Sequence, residues 1–165
     1  MSCGEPEKEL WRDTMGRPER RGEPALTHSE LESFLRNEFP QVFKAGSGLS
    51  IEEIWHGGAQ VRQAYREDFI RPGGTISGPT MMALADFAMY VAVLSSIGVV
   101  PLAVTTNLSI NFLRKPSAAD LLAEAKLMKL GKRLAVGEVA IRLAGGVELV
   151  AHATSTYSIP STQDA

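Results

Sequence analysis

The chain has 165 residues, 44% of them apolar, and a formal net charge of −2. That length and apolar content fit a single domain with a real core, and the charge does not favour nucleic acid as a partner. Cys3 is the only cysteine, which excludes an intrachain disulfide framework and a cysteine-built zinc site and fits a reducing, cytoplasmic setting.

Residues 1–25 are dense in charges of both signs and contain no apolar h-region, so they read as a mobile arm rather than a signal peptide. One domain is expected over 26–160, with 161–165 as a tail. Thr27 followed by Glu30 is a capping-box pattern, and Leu31, Phe34 and Leu35 share a face, so a helix is expected near 28–38. Leu49, Ile51 and Trp55 keep a period of two that Glu53 interrupts. Ala59, Val61 and Tyr65 resume it, and Gly57-Gly58 between the two runs predicts a β-hairpin.

A loop rich in glycine (Gly73, Gly74, Gly78) then leads into a nearly continuous apolar run from about Pro79 to Ile97, closed by Gly98 and Pro101. Thr80–Val100 is long enough to span a membrane. It carries Asp86, Ser95, Ser96 and Gly98, and strands follow it, so a buried core helix is the simpler reading and no membrane is expected as a partner. Next comes an alternating strand, "VTTNLSINFLR", ended by Pro116. "DLLAEAKLMKL" suits helix or strand, and context favours strand. "LAVGEVAIRL" and "VELVAHATSTYSI" flank Gly145-Gly146 as a further hairpin. Helix, two strands, one long apolar helix and four strands predict an α+β fold, an antiparallel sheet wrapped around one helix. A second copy of the chain is a natural cover for any side the sheet leaves open.

Asp86 is the anomaly, a carboxylate among Met82, Met89 and Tyr90 at helical spacing. Burial disfavours its charge unless donors meet it. It is either a satisfied structural acid or a group facing a polar cleft. Ser77 is a natural N-cap, and Pro79 suits a first turn. The N–H of Gly78 at that helix start can polarise a carbonyl. Gly78 and Asp86 lie eight residues apart, roughly 12 Å of helix, too far for one short substrate. Across a two-fold dimer, the helix start of one chain can face Asp86 of the other. His28, His56 and His152 show no telling partners, so neither a Ser-His-Asp triad nor a metal site is expected.

The order of elements and the stretch "GGTISGPTMMALADFAMYVA" resemble the hotdog-fold thioesterases of the phenylacetic acid degradation (PaaI-like) type, over about residues 45–160. The usual motif there is N-P-x-G-x-x-H-G-G followed by an apolar helix with an acid. Pro72, Gly74, Gly78 and Asp86 match it, while Arg71, Ser77 and Pro79 replace the Asn, the His and the second Gly. The resemblance implies hydrolysis of an acyl-CoA thioester without a cofactor. Asp86 of one subunit would be general base or nucleophile, and the Gly78 N–H would polarise the carbonyl. It implies a cytoplasmic homodimer or homotetramer, with Arg71, Ser77, Tyr90, Asn111, Arg114, Lys132 and Arg133 as substrate-binding candidates. The alternative is a hotdog protein that holds acyl-CoA without cleaving it. A hydratase on the same fold ranks last, since no histidine lies near Asp86.

Overall fold

Helix α1 (His28–Glu38) starts at the expected cap. The Thr27 hydroxyl accepts from the Glu30 N–H at 3.2 Å, and the Glu30 carboxylate accepts from the Thr27 N–H at 2.8 Å. This is the reciprocal pairing that satisfies two otherwise orphaned donors. Leu31 and Leu35 are fully buried beneath it. The structure, a computed structural model, describes residues 21–161.

Strands β1 (Leu49–Trp55) and β2 (Gly58–Gln63) form the expected hairpin, with Trp55 opposite Gly58. Register shifts between Ile51 and Glu53, and this bulge is why Glu53 breaks the alternation. Gly57 turns with φ of 95°, where a side chain would be strained. A short 3₁₀ turn (Glu67–Phe69) and a two-residue ladder, β3 (Ile70–Arg71) with β4 (Thr75–Ile76), follow where only a loop was expected. They deliver the chain to Ser77.

Helix α2 (Gly78–Ile97) is the central element. After it come β5 (Val104–Phe112), β6 (Leu121–Leu130), β7 (Leu134–Leu143) and β8 (Leu149–Ser158). The six long strands make one antiparallel sheet in the order β1-β2-β6-β7-β8-β5. The segment ambiguous between helix and strand is β6, which finds a partner on each side. The α+β expectation holds: the sheet curls around α2, which is long and apolar enough to cross a membrane yet has 72% of its apolar window buried inside the protein.

The floor under α2 is built from small residues. Ala59, Ala123, Ala125, Ala135, Ala151 and Ala153 all have zero exposure. Gly137 lies so close beneath the helix that a Cβ there would fall 2.7 Å from Met89 Cε. The C-terminal turn of α2 is tied to the first hairpin: Gly57 N–H donates to Ser96 Oγ at 2.8 Å, and Ser95 Oγ lies 3.1 Å from the Trp55 carbonyl. One strip of α2 stays open. Pro79, Met82 and Ala83 are exposed and Asp86 is half-buried, at the i, i+3, i+4, i+7 spacing of one helix face.

Most of the expected arm, and the end of the expected tail, lie outside the described residues. Arg21–Ala25 lie against the first hairpin and the end of α2. His56 N–H donates to the Gly22 carbonyl at 3.0 Å, and Ala25 N–H to the Ser95 carbonyl at 2.7 Å. The Arg21 guanidinium sits 3.9 Å from the centre of the Trp55 ring and pairs with Glu53.

Gly58 tests the hairpin. A Cβ there would lie 2.4 Å from the Trp55 ring and 2.6 Å from the Ala125 carbonyl oxygen, so something must shift. Gly58→Ala is expected to lower unfolding free energy by about 1–3 kcal/mol, read as the urea midpoint. An unchanged midpoint would refute the close packing.

Candidate active site

Asp86 sits in the third turn of α2, on its open strip. Two side chains reach its carboxylate from the sheet. The Tyr157 hydroxyl on β8 donates toward Asp86 Oδ1 at 2.8 Å and also lies 2.9 Å from the Asp86 carbonyl oxygen. Thr105 at the start of β5 donates its hydroxyl to the same Oδ1. Thr105 and Tyr157 are register partners across β5 and β8, so the sheet presents both donors together. Oδ2 has no hydrogen-bond partner among the described residues. Asp86 is thus a held carboxylate with one oxygen engaged and the other without a hydrogen-bond partner among the described residues.

Burial and the neighbouring Asp86 charge push the Tyr157 hydroxyl far above its ordinary value, so it remains a neutral donor. Tyr157 also stacks on Tyr90, with ring centres 6.2 Å apart. The Tyr90 hydroxyl donates to the Pro101 carbonyl at 3.3 Å, not to Asp86. Burial, and then the Glu38 charge, raise its pKa too.

These residues line a cleft of about 540 Å³. Its walls are the end of α1 and the segment after it (Glu38, Phe39, Val42), the face of α2 carrying Ala83, Asp86, Phe87 and Tyr90, and the segment from Pro101 to Thr105. Phe39 meets Tyr90 edge-on with ring centres 6.0 Å apart, and Phe87 stacks on Phe43 at 5.7 Å. An apolar cleft with a few polar groups on one wall is the usual form of a small-molecule site.

Gly78 opens α2. Its N–H makes no hydrogen bond among the described residues, as first-turn donors commonly do not. A Cβ at Gly78 would stand 3.1 Å from the Phe112 ring, so the bare backbone keeps this helix start close to the end of β5. Ser77 is the N-cap. Its hydroxyl lies 3.4 Å from the Thr80 N–H and 2.9 Å from Thr80 Oγ1. Gly78 and Asp86 stand at different turns of one helix, and one protomer does not bring them together.

The remaining candidates are scattered. Arg71 is exposed on β3. Asn111 pairs with His152 on the outer face of the sheet, turned away from α2, because Leu108 and Ile110 hold the inner positions. Arg114 lies beyond Phe112, where its guanidinium donates to the Leu149 carbonyl at 3.0 Å and pairs with Glu148 at 3.4 Å. Lys132 and Arg133 are exposed in the β6–β7 turn. That turn adjoins Leu134, which pairs with Ser158, itself paired with Val104, so it stands at the opposite end of β5 from Arg114. The nearest histidine-based arrangement, His152 with Glu138 at 3.0 Å, is also on the outer face. No cluster suited to a metal ion occurs among the described residues.

Sequence reasoning did not single out Tyr157, Thr105, Glu38 or Phe39. A signal for Tyr157 was present. It follows Ala151, Ala153 and Ser155 at period two on the apolar face of β8, and a phenol facing a core needs a partner. Asp86 is the only acid in the apolar run.

A sequence model of the Thioesterase superfamily matches residues 73–150, from the β3–β4 turn into β8. A crystal structure from Silicibacter sp. TM1040, provisionally named a thioesterase, is 42% identical, spans 86% of this chain and 97% of its own, and superposes with a TM-score of 0.76. A point mutant of the phenylacetic acid degradation protein PaaI from Thermus thermophilus is 28% identical over 68% of this chain and 94% of its own, with a TM-score of 0.61. A Saccharolobus solfataricus protein provisionally named an esterase is 28% identical over 82% of this chain and 87% of its own length. A sheet wrapped on one long helix is the hotdog architecture that these thioesterases share. The chain belongs to the thioesterase superfamily, and with it to the hydrolases acting on thioester bonds.

Tyr157 carries a pH prediction. Its folded pKa lies above the unfolded value of about 10, so its contribution to stability is full below pH 10 and declines as pH rises beyond it. Unfolding free energy is expected to fall above pH 10, and Tyr157→Phe to flatten that alkaline limb. Parallel limbs in the two proteins, measured by urea titration across pH 8–11.5, would contradict the burial of this phenol.

Proposed function

We propose that the protein hydrolyses an acyl-CoA thioester to the free acid and CoA, as a cytoplasmic homodimer or homotetramer with its sites between subunits. The observation that carries this reading is the Asp86 carboxylate, held through one oxygen by Thr105 and Tyr157 on the wall of an apolar cleft. Oδ2 takes a proton from water as the water oxygen adds to the thioester carbon. The Gly78 N–H of the other subunit meets the developing oxyanion, helped by the positive end of α2. The tetrahedral intermediate expels the CoA thiolate, which regains a proton, and the acyl carboxylate departs. Direct attack by Asp86 is the second form of the same role: it expels the CoA thiolate, which regains a proton, and forms a mixed anhydride that water cleaves to the free acid and the Asp86 carboxylate.

The exposed surface supports two-fold assembly. Among the described residues strand β5 pairs only with β8, so its other edge is open there, and Leu102, Val104, Phe112 and Leu113 are each at least half exposed at or beside it. An open apolar edge strand is an association surface. Antiparallel pairing of two β5 strands exchanges their ends. The Gly78 end of one protomer then lies by the Asp86 end of its partner, and Arg114 by Lys132 and Arg133 of the partner subunit. That cluster is a reasonable seat for CoA phosphates. Arg71, Ser77 and Tyr90 contribute around the same mouth, although the Ser77 hydroxyl is already committed to its cap. Asn111 is the least favoured candidate because it faces the other side of the sheet.

The cap also favours a second reading, since a serine cannot supply the charge a histidine can, and Pro79 has no N–H to offer. Saturable acyl-CoA binding without turnover would identify a binding protein.

Asp86→Asn preserves an acceptor for Tyr157 and Thr105 and removes the base. Its kcat across short, medium and aryl acyl-CoAs is expected to fall at least about 100-fold, with the melting temperature retained. Full activity in this variant would rule out the mechanism. In sedimentation, the active species is expected at twice or four times 17.8 kDa, and an active monomer would rule out the shared site.

A further inference from the structure

The cleft beside Asp86 has an uneven charge. Among the described residues that line it, the ionisable side chains are Glu38, Asp86, Tyr90 and Tyr157, and none of them is basic. Glu38 stands at the last residue of α1, and its charge is felt at the Tyr90 hydroxyl. Tyr90 lies one turn beyond Asp86 on α2, about 6 Å along the axis. The remaining wall is largely apolar, with Phe39, Val42 and Phe87 on one side and Leu102 and Val104 on the other. A chain extending from a carbonyl near Asp86 along this wall therefore reaches Tyr90 and Glu38 with its far end.

We infer that Glu38 is a specificity-determining residue, which restricts the cleft to acyl groups with an uncharged far end and turns away those ending in a carboxylate. The inference rests on the thioesterase reading above and deepens it. An ω-carboxylate entering the cleft leaves water for an apolar wall, meets no cation among the described residues that line it, and comes to rest beside a like charge. An alkyl or aryl end meets Phe39, Phe87 and Tyr90 and loses only its contact with water. Glu38 is exposed, so its carboxylate retains its own hydration and acts on the substrate through charge, not through a packed contact.

The test compares hexanoyl-CoA with adipoyl-CoA, which have the same acyl carbon count and differ by the terminal carboxylate, using wild type, Glu38→Gln and Glu38→Lys. Wild type is expected to prefer hexanoyl-CoA by at least about tenfold in kcat/KM. Glu38→Gln is expected to narrow that preference several-fold and Glu38→Lys further, both by raising adipoyl-CoA turnover relative to hexanoyl-CoA turnover. The change should weaken as salt is raised, as a charge effect does and a shape effect does not. Preference ratios that match in all three proteins, or a change from Glu38→Lys that ignores salt, overturn the role of Glu38 while leaving the thioesterase reading intact. No hydrolysis of either substrate, nor of other acyl-CoAs, overturns the reading on which the inference rests.

Discussion

The close approach of α2 to its sheet is the constraint on which the rest of this structure depends. A twenty-residue apolar helix can be buried by a single sheet only if the sheet curls and its floor is shallow. Alanines on β2, β6, β7 and β8, with Gly137 beneath Met89, supply that floor. Larger side chains would lift the helix, open voids and lose the dispersion contacts that dense packing provides. Gly58 under the Trp55 ring makes a separate close contact, within the hairpin itself. The glycines of "HGG" at His56–Gly58, which invite a catalytic reading, are thus explained by a turn and a close contact.

That constraint also creates the place for an acid. The sheet covers α2 on most sides and stops at β5, so one strip of the helix remains uncovered. Asp86 lies on that strip, where its two sheet donors reach one oxygen and leave the other without a partner among the described residues. A carboxylate one position earlier would take the place of Ala85, which is fully buried, and would face the alanine floor with no room. Position on the helix, and not composition around it, separates an untenable charge from a usable one.

Local signals carried most of the fold. The capping box at Thr27–Glu30, the glycine turn at Gly57 and the Ser77 cap each place an element boundary, because each is a short-range hydrogen bond or backbone requirement. The β3–β4 ladder was not legible: two residues per strand are too few for a period. Segment 121–130 was ambiguous because its alanines, leucines and lysines suit a helix, and only its two strand partners decide it. Of the candidate site, Asp86 was legible as an anomaly and Gly78 as a helix start. Thr105 and Tyr157 were not, since they meet Asp86 across 19 and 71 residues of chain. Asn111 shows the converse. Alternation placed it on one strand face, but the bulge between Thr105 and Asn107 decides which face is shared with Thr105.

The replacements at the helix start bear on how the proposed chemistry is divided. Ser77 commits its hydroxyl to the first turn of α2, and Pro79 contributes no donor, so the Gly78 N–H is the first amide of the helix left for an oxyanion. A lone amide is a modest electrostatic resource, and the helix dipole behind it is felt only near the first turn. In the proposed reaction the demand on Asp86 is correspondingly greater. Its fixed orientation, imposed by two sheet hydroxyls on a single oxygen, reduces the reorganisation needed for proton transfer. A site with few donors and a well-held acid is suited to a substrate whose carbonyl is already reactive. A thioester is more readily attacked than an oxygen ester, because its leaving thiolate needs less protonation. The sparse helix start is therefore consistent with the family to which the chain belongs.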